Sequence, residues 1–177
     1  MNSLINSLLP HISQNKHLKV LVCFGSQTGN VEAVSKSLFS RIVITDKTIK
    51  TMNEITDLKQ LEEYDYVIFL VSTTGDGEFP DNAYSFWKLF RKWRDPLDFE
   101  YCIIGFGDSN YRSFAHTAKC LSRKLEKLAG EPFQKQVVID DAFDSSEKLE
   151  TALTETSNFT HNKKTEINNW FINKMTS

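Results

Sequence analysis

The sequence predicts an α/β protein: a doubly wound, five-stranded parallel sheet with helices on both faces. Three observations carry this. Short, continuous apolar runs alternate with helical patterns about five times along 177 residues. The runs lack an apolar–polar alternation, so the strands are buried on both faces, as in a parallel sheet covered by helices. Glycine- and hydroxyl-rich loops follow the first, third and fourth runs, at the edge where such sheets bind ligands.

The elements follow in order. Lys19 to Phe24 is the first strand, broken by Gly25-Ser26-Gln27-Thr28-Gly29-Asn30. Val31, Val34, Ser35 and Leu38 recur at helical spacing, predicting a helix to about Arg41. Lys47 to Met52 forms the second strand, and Leu58, Leu61 and Tyr64 mark a short helix. The third strand, Tyr66 to Val71, precedes a polar loop from Ser72 to Asp81. Phe86, Leu89, Phe90 and Trp93 line the next helix, with Asp81 as its expected cap. Tyr101 to Phe106 is the fourth strand. Phe114, Ala118, Leu121, Leu125 and Leu128 form an amphipathic helix stopped at Gly130. Gln134 to Ile139 is the fifth strand. The stretch 145–165 is rich in Thr, Asn and Ser and reads as a partly ordered polar insertion. A final helix, 166–174, offers Ile167, Trp170 and Phe171 for docking, and residues 1–17 read as an arm or short helix before a single domain, 18–177.

Composition narrows the function. A net charge of -2 argues against nucleic acid as the main partner. The longest apolar run, Tyr66 to Val71, is far short of the roughly 20 residues that span a bilayer. Cys23, Cys102 and Cys120 are too scattered for a disulfide framework or zinc site and read as buried small hydrophobes. Absence of a basic leader and this cysteine usage predict a cytoplasmic, reducing location.

The three loops carry the chemistry. A helix begins at Asn30, and a helix N-terminus attracts phosphate through unpaired N–H groups. Ser26, Thr28 and Asn30 add neutral donors, but the loop has no lysine, so it is not a P-loop, and it lacks a GxGxxG fingerprint. It suits one terminal phosphate monoester, or serves simply to turn the chain and cap the helix. In the second loop Gly75 and Gly77 permit a peptide flip, and Asp76, Glu78 and Asp81 make an acidic rim. The third loop holds Asp108, Asn110 and Tyr111, and a tyrosine there can stack on a flat ring or pack on its own helix. Together they suit a phosphorylated flat heterocycle.

These three segments, with Pro80-Asp81-Asn82-Ala83 and Gly105-Phe106-Gly107-Asp108-Ser109-Asn110-Tyr111, resemble the flavodoxin family. More narrowly they are similar to the FMN-binding domain of diflavin reductases, above all the methionine synthase reductase branch. The similarity runs from about Lys19 to Asp141, plus the last helix. It implies FMN as cofactor. Ser26, Gln27, Thr28, Gly29 and Asn30 would hold the phosphate. Thr73, Thr74, Gly75, Asp76 and Gly77 would line the ring. Phe106, Gly107, Asp108, Asn110 and Tyr111, with Phe114, would form the other wall, and Asp141 lies near the flavin. It further implies a Gly75–Asp76 peptide that flips to offer its carbonyl to flavin N5–H when the ring takes up one electron. Thr74 stands where many relatives carry an aromatic, which leaves Phe79 as the candidate to cover that ring face.

The function implied is single-electron transfer from an NADPH/FAD-type reductase, as domain or separate protein, to a metal or haem acceptor docked on the acidic rim. The chain is then either a free carrier or a piece of a larger reductase. The rival is a partner-binding domain of the same fold without flavin. A response regulator fails because Phe24-Gly25-Ser26 replaces its acidic cluster. A phosphate-binding hydrolase lacks a metal-ligating group or activated nucleophile. His116 reads as structural or solvated rather than catalytic.

Overall fold

The computed structural model describes residues 18–143 and 145–176; the N-terminal arm lies outside the described residues. Five strands, β1 (Lys19–Gly25), β2 (Asp46–Thr51), β3 (Tyr66–Ser72), β4 (Glu100–Gly107) and β5 (Val137–Asp140), form one sheet in the order β2-β1-β3-β4-β5. All four pairings are parallel, and Val20 stands opposite both Lys47 and Tyr66. The chain leaves β1 in one direction and returns past it to β3, so the switch point falls between those two strands.

Among the described residues four α-helices cover the sheet: α1 (Asn30–Arg41), α2 (Asp81–Phe90), α3 (His116–Ala129) and α4 (Ser146–Thr176). Strand side chains alternate between two cores. Leu21, Cys23, Val67, Phe69, Val71, Tyr101 and Ile103 pack with Ala83, Phe86 and Phe90 of α2 and Ala118, Leu121 and Leu125 of α3. Val20, Val22, Phe24, Ile68, Leu70, Cys102 and Ile104 pack with Val31 and Leu38 of α1 and Ala152 and Leu153 of α4. The doubly wound arrangement is thus as expected, with the three central strands β1, β3 and β4 largely apolar because both of their faces are covered, and the edge strand β2 (DKTIKT) polar and only half-buried.

Two local readings are corrected and one, the expected short helix at Leu58, is refined. The stretch 145–165 is no insertion: it is the first two-thirds of α4, one continuous helix with the segment expected to dock. Its inner positions, Leu149, Ala152, Leu153, Thr156, Phe159 and Thr160, recur at helical spacing, but threonines take two of them and hide the period. Those hydroxyls are satisfied locally, Thr156 donating to the Ala152 carbonyl (2.8 Å) and Thr160 to that of Ser157 (2.7 Å). The side chains of Ile167, Trp170 and Phe171 lie outside the described residues. Second, the segment from Leu58 to Glu63 is a 3-10 helix, with Asp57 and Gln60 forming a capping box. Third, Cys23 and Cys102 are buried, but Cys120 is only half-buried, its Sγ 3.2 Å from His116 Nε2.

Glycines set how closely two helices lie on the sheet. A Cβ at Gly105 of β4 would stand 2.5 Å from the Ala118 Cβ of α3, and one at Gly25 of β1 would stand 2.7 Å from the Ala83 Cβ of α2. Gly105→Ala should therefore cost about 1–3 kcal/mol. Urea unfolding of Gly105→Ala, Ala118→Gly and the double variant checks this: the double variant should lose less than the sum of the singles. Strict additivity would mean that α3 moves away at no cost.

Candidate functional site

The first loop leaves β1 at Gly25. Ser26 is buried; its N–H donates to Asn82 Oδ1 (2.8 Å), and its Oγ accepts from the Gly29 N–H (3.1 Å). Gly29 adopts φ 93° as the N-cap of α1 and supplies no side-chain cap. The first N–H groups of α1 therefore have no side-chain cap and carry a partial positive charge, beside exposed Thr28 and Asn30. Gln27 does not point there. It bridges to the second loop, its Nε2 donating to Asp81 Oδ2 (3.0 Å) and its Oε1 accepting from the Asp81 N–H (2.9 Å).

The second loop is pinned on both sides. The Thr73 N–H donates to the Phe106 carbonyl (3.0 Å), and the Thr73 and Thr117 hydroxyls pair at 2.9 Å. Thr74 and Glu78 form an isolated bridge, and the Thr74 carbonyl accepts from Gly77 and Glu78 (3.0 and 2.8 Å). This tight reversal needs positive φ at Gly75 (49°) and Gly77 (113°). The Ser113 hydroxyl donates to the Asp76 carbonyl (2.7 Å), while the Gly75 carbonyl accepts no hydrogen bond among the described residues. Two expectations fail here. Phe79 is buried and stacked on Trp87 (4.6 Å between centroids), so it covers nothing at the edge. Asp81 does not cap α2; Pro80 holds the cap position, and the Asp81 carboxylate is engaged by Gln27.

In the third loop the Asp108 carboxylate accepts from the Asn110 N–H (2.8 Å) and its carbonyl accepts from the Tyr111 N–H (3.1 Å). The turn projects Tyr111 outward, 65% exposed. Phe106 goes the other way: its ring is buried in the core, and only its backbone serves the edge. Phe114 is half-buried under the Lys119 ammonium, 5.5 Å from its ring centre. Ala115, at φ 49°, is the one positive-φ residue other than glycine among the described residues. Its N lies 2.8 Å from where a Cβ of Gly107 would be.

Asp140 and Asp141 titrate in opposite directions. Burial raises the Asp140 pKa, but hydrogen bonds from Ser109 and the Ala142 N–H, with the Lys148 charge, outweigh it and hold the group below the usual range. Asp141 is pushed above that range by burial and by the charges of Asp108 and Asp140. Its own N–H donates to the Gly107 carbonyl (2.7 Å), which places it beside the third loop.

Residues 22–154 match the Flavodoxin family. The chain belongs to this family. It is 36% identical over 130 residues to NADPH-dependent diflavin oxidoreductase 1 of Gibberella zeae, covering 70% of this chain and 21% of that one. It is 33% identical over 141 residues to the sulfite reductase [NADPH] flavoprotein alpha-component of Bacillus subtilis, covering 76% and 23%. The chain thus spans about a fifth of the length of these curated relatives. The oxidised flavodoxin 1 of Bacillus cereus superposes with a TM-score of 0.65 at 22% identity, over 81% of this chain and 97% of that one, and shares the fold.

FMN is the cofactor of the family, and the residues present fit it. The uncapped start of α1 suits a phosphate monoester. The exposed Tyr111 ring suits a flat heterocycle, and the free Gly75 carbonyl suits a ring N–H. The sequence reading missed Asn82, Ser113 and Thr117, which tie the loops together. Asn82 sits inside the quoted Pro80-to-Ala83 segment; Ser113 and Thr117 carry no local signal, because their partners are 37 and 44 residues away.

The two aspartates give opposite pH signatures. Asp141→Asn should raise the thermal midpoint at pH 7, because ionising a carboxyl with a raised folded-state pKa costs stability. The gain should vanish below about pH 4, where the carboxyl is protonated in both states. Asp140→Asn should lower the midpoint at pH 7, with the loss fading as pH falls. Melting curves from pH 3 to 8 in about half-unit steps check both; a stabilising Asp140→Asn at neutral pH would refute the assignment.

Proposed function

We propose that this chain binds FMN at the carboxyl edge of its sheet and passes single electrons between an NADPH/FAD-type reductase and a metal or haem acceptor. The observation that carries this is the mutual bracing of three loops at one edge: Ser26 to Asn82, Thr73 to Thr117, and Asp76 to Ser113. Such bracing preorganises a site before a ligand arrives.

FMN, when bound, supplies the one-electron chemistry; the chain's residues bind and tune it. The first turn of α1, with Ser26, Thr28 and Asn30, holds the phosphate dianion against the helix N-terminus. Gln27 acts indirectly, by locking Asp81 and so the start of α2 to this loop. Tyr111 covers one ring face. The Thr74–Glu78 turn presents the Gly75 carbonyl as an acceptor for a proton on a ring nitrogen, and positive φ at Gly75 lets the Gly75–Asp76 peptide turn. Asp76, Glu78, Asp81, Asp108 and Asp141 disfavour extra negative charge on the ring and attract a basic acceptor surface. The reductase donor follows from the diflavin relatives, whose names carry NADPH.

The finer likeness to methionine synthase reductase is supported by Thr74, since Phe79 is turned into the core and leaves that ring face without an aromatic. Thr74→Tyr should then tighten FMN binding by about tenfold through a second stacking contact, and Tyr111→Ala should weaken it by about as much.

Flavin titration tests the site. FMN should bind at least about tenfold more tightly than riboflavin. Asn30→Asp should erase that preference while leaving riboflavin affinity unchanged. Equal affinity for the two flavins in the unaltered chain would remove the phosphate assignment. Failure of either to bind would leave a partner-binding domain of this fold.

A further inference from the structure

The carboxyl ends of α2 and α3 meet at the amino edge of the sheet, opposite the three loops, where the Leu97 N–H donates to the Leu128 carbonyl (2.9 Å). Arg91, Lys92 and Arg94 follow α2 there, and Arg123, Lys124 and Lys127 lie on the last turns of α3. None of these six cations forms an ion pair among the described residues. The Arg94 guanidinium donates to the Arg91 and Trp93 carbonyls (3.1 and 2.9 Å), and the Lys124 ammonium also donates to the Trp93 carbonyl. Burial and the nearby charges of Arg94 and Lys127 lower the Lys124 pKa. A helix dipole favours a cation at each carboxyl end, which accounts for Lys127. It does not account for cations crowded round one lysine, each raising the cost of the next.

Trp93 supplies a second, independent observation. Its Nε1–H is the one buried side-chain polar atom without a partner among the described residues. The residue as a whole is only half-buried, so its indole reports on whatever binds beside it. Leu89, Trp93 and Ala129, half-buried at the same two helix ends, add apolar surface there.

We propose that this junction of α2 and α3 is a docking site for an acidic segment of a protein partner, whose carboxylates pair with Arg91, Arg94, Lys124 and Lys127 around Trp93. The apolar surround favours a peptide with apolar side chains between its carboxylates over a bare polyanion. The net charge of -2 also works against a nucleic acid or a lipid surface. A partner held here leaves the carboxyl edge open, so the tether raises the local concentration of an acceptor that must still reach that edge.

The test uses the full chain loaded with FMN, where it binds, and a synthetic peptide alternating Glu and Asp with Leu and Phe. In a proton–nitrogen correlation spectrum, the indole resonance missing from Trp93→Phe identifies Trp93. On titration it should move and saturate, and affinity should fall as salt rises. Arg94→Glu with Lys124→Glu should weaken peptide binding about tenfold, with flavin affinity unchanged. If that pair does not fold, Arg91→Glu with Lys127→Glu carries the same comparison. An unmoved Trp93 resonance, equal binding by the charge-reversed chain, or tighter binding to duplex DNA or phosphatidylserine vesicles than to the peptide would overturn the proposal. Because flavin affinity is read separately, loss of peptide binding and loss of the FMN reading are distinguishable.

Discussion

The close approach of α2 and α3 to the sheet is the constraint on which the site depends. Three strand glycines face alanines: Gly25 against Ala83, Gly105 against Ala118, and Gly107 against the Ala115 backbone. Without side chains on the strands, the helices lie low enough for Asn82 to reach Ser26, Thr117 to reach Thr73 and Ser113 to reach Asp76. A larger residue at any of the three would lift a helix and part those pairs, although none of the three glycines need touch a ligand. Ala115 shows the tightness of the fit, being held in a left-handed conformation that only surrounding packing can sustain.

Electrostatics at the edge depends on backbone placement more than on residue type. Asp140 and Asp141 are adjacent and chemically identical, yet one gains N–H donors from Ser109 and Ala142 and the other faces Asp108 and its own neighbour. The fold therefore keeps one carboxylate at ease and one under strain at a single strand end. Similarly, Asp81 reads in the sequence as a helix cap and rim residue but is clamped by Gln27.

The central strands β1, β3 and β4 and the three loops were legible because each leaves a local mark: an unbroken apolar run, a glycine pair, a hydroxyl cluster. The helical period was legible in Leu121, Leu125 and Leu128 but not in α4, where Thr156 and Thr160 occupy inner positions and satisfy themselves on their own helix. Phe79 illustrates the other limit. Its neighbourhood in the chain places it at the site, but its ring finds Trp87 two turns into the next helix. Side-chain direction within a loop is decided by packing partners that a linear reading does not weigh. The same holds for Phe106, whose ring belongs to one core while its carbonyl serves the edge.

The position of α4 in the chain has a consequence for synthesis. Ala152 and Leu153 complete the cover over Ile68, Leu70, Cys102 and Ile104, a layer that α1 only partly shields. During translation those strands emerge well before the helix that hides them. The nascent chain must carry an apolar sheet face in the open until its last described element leaves the ribosome, the kind of surface that chaperones bind. Folding of this domain is thus timed by its C-terminal helix, and a pause in translation just before residue 146 would prolong its most aggregation-prone state.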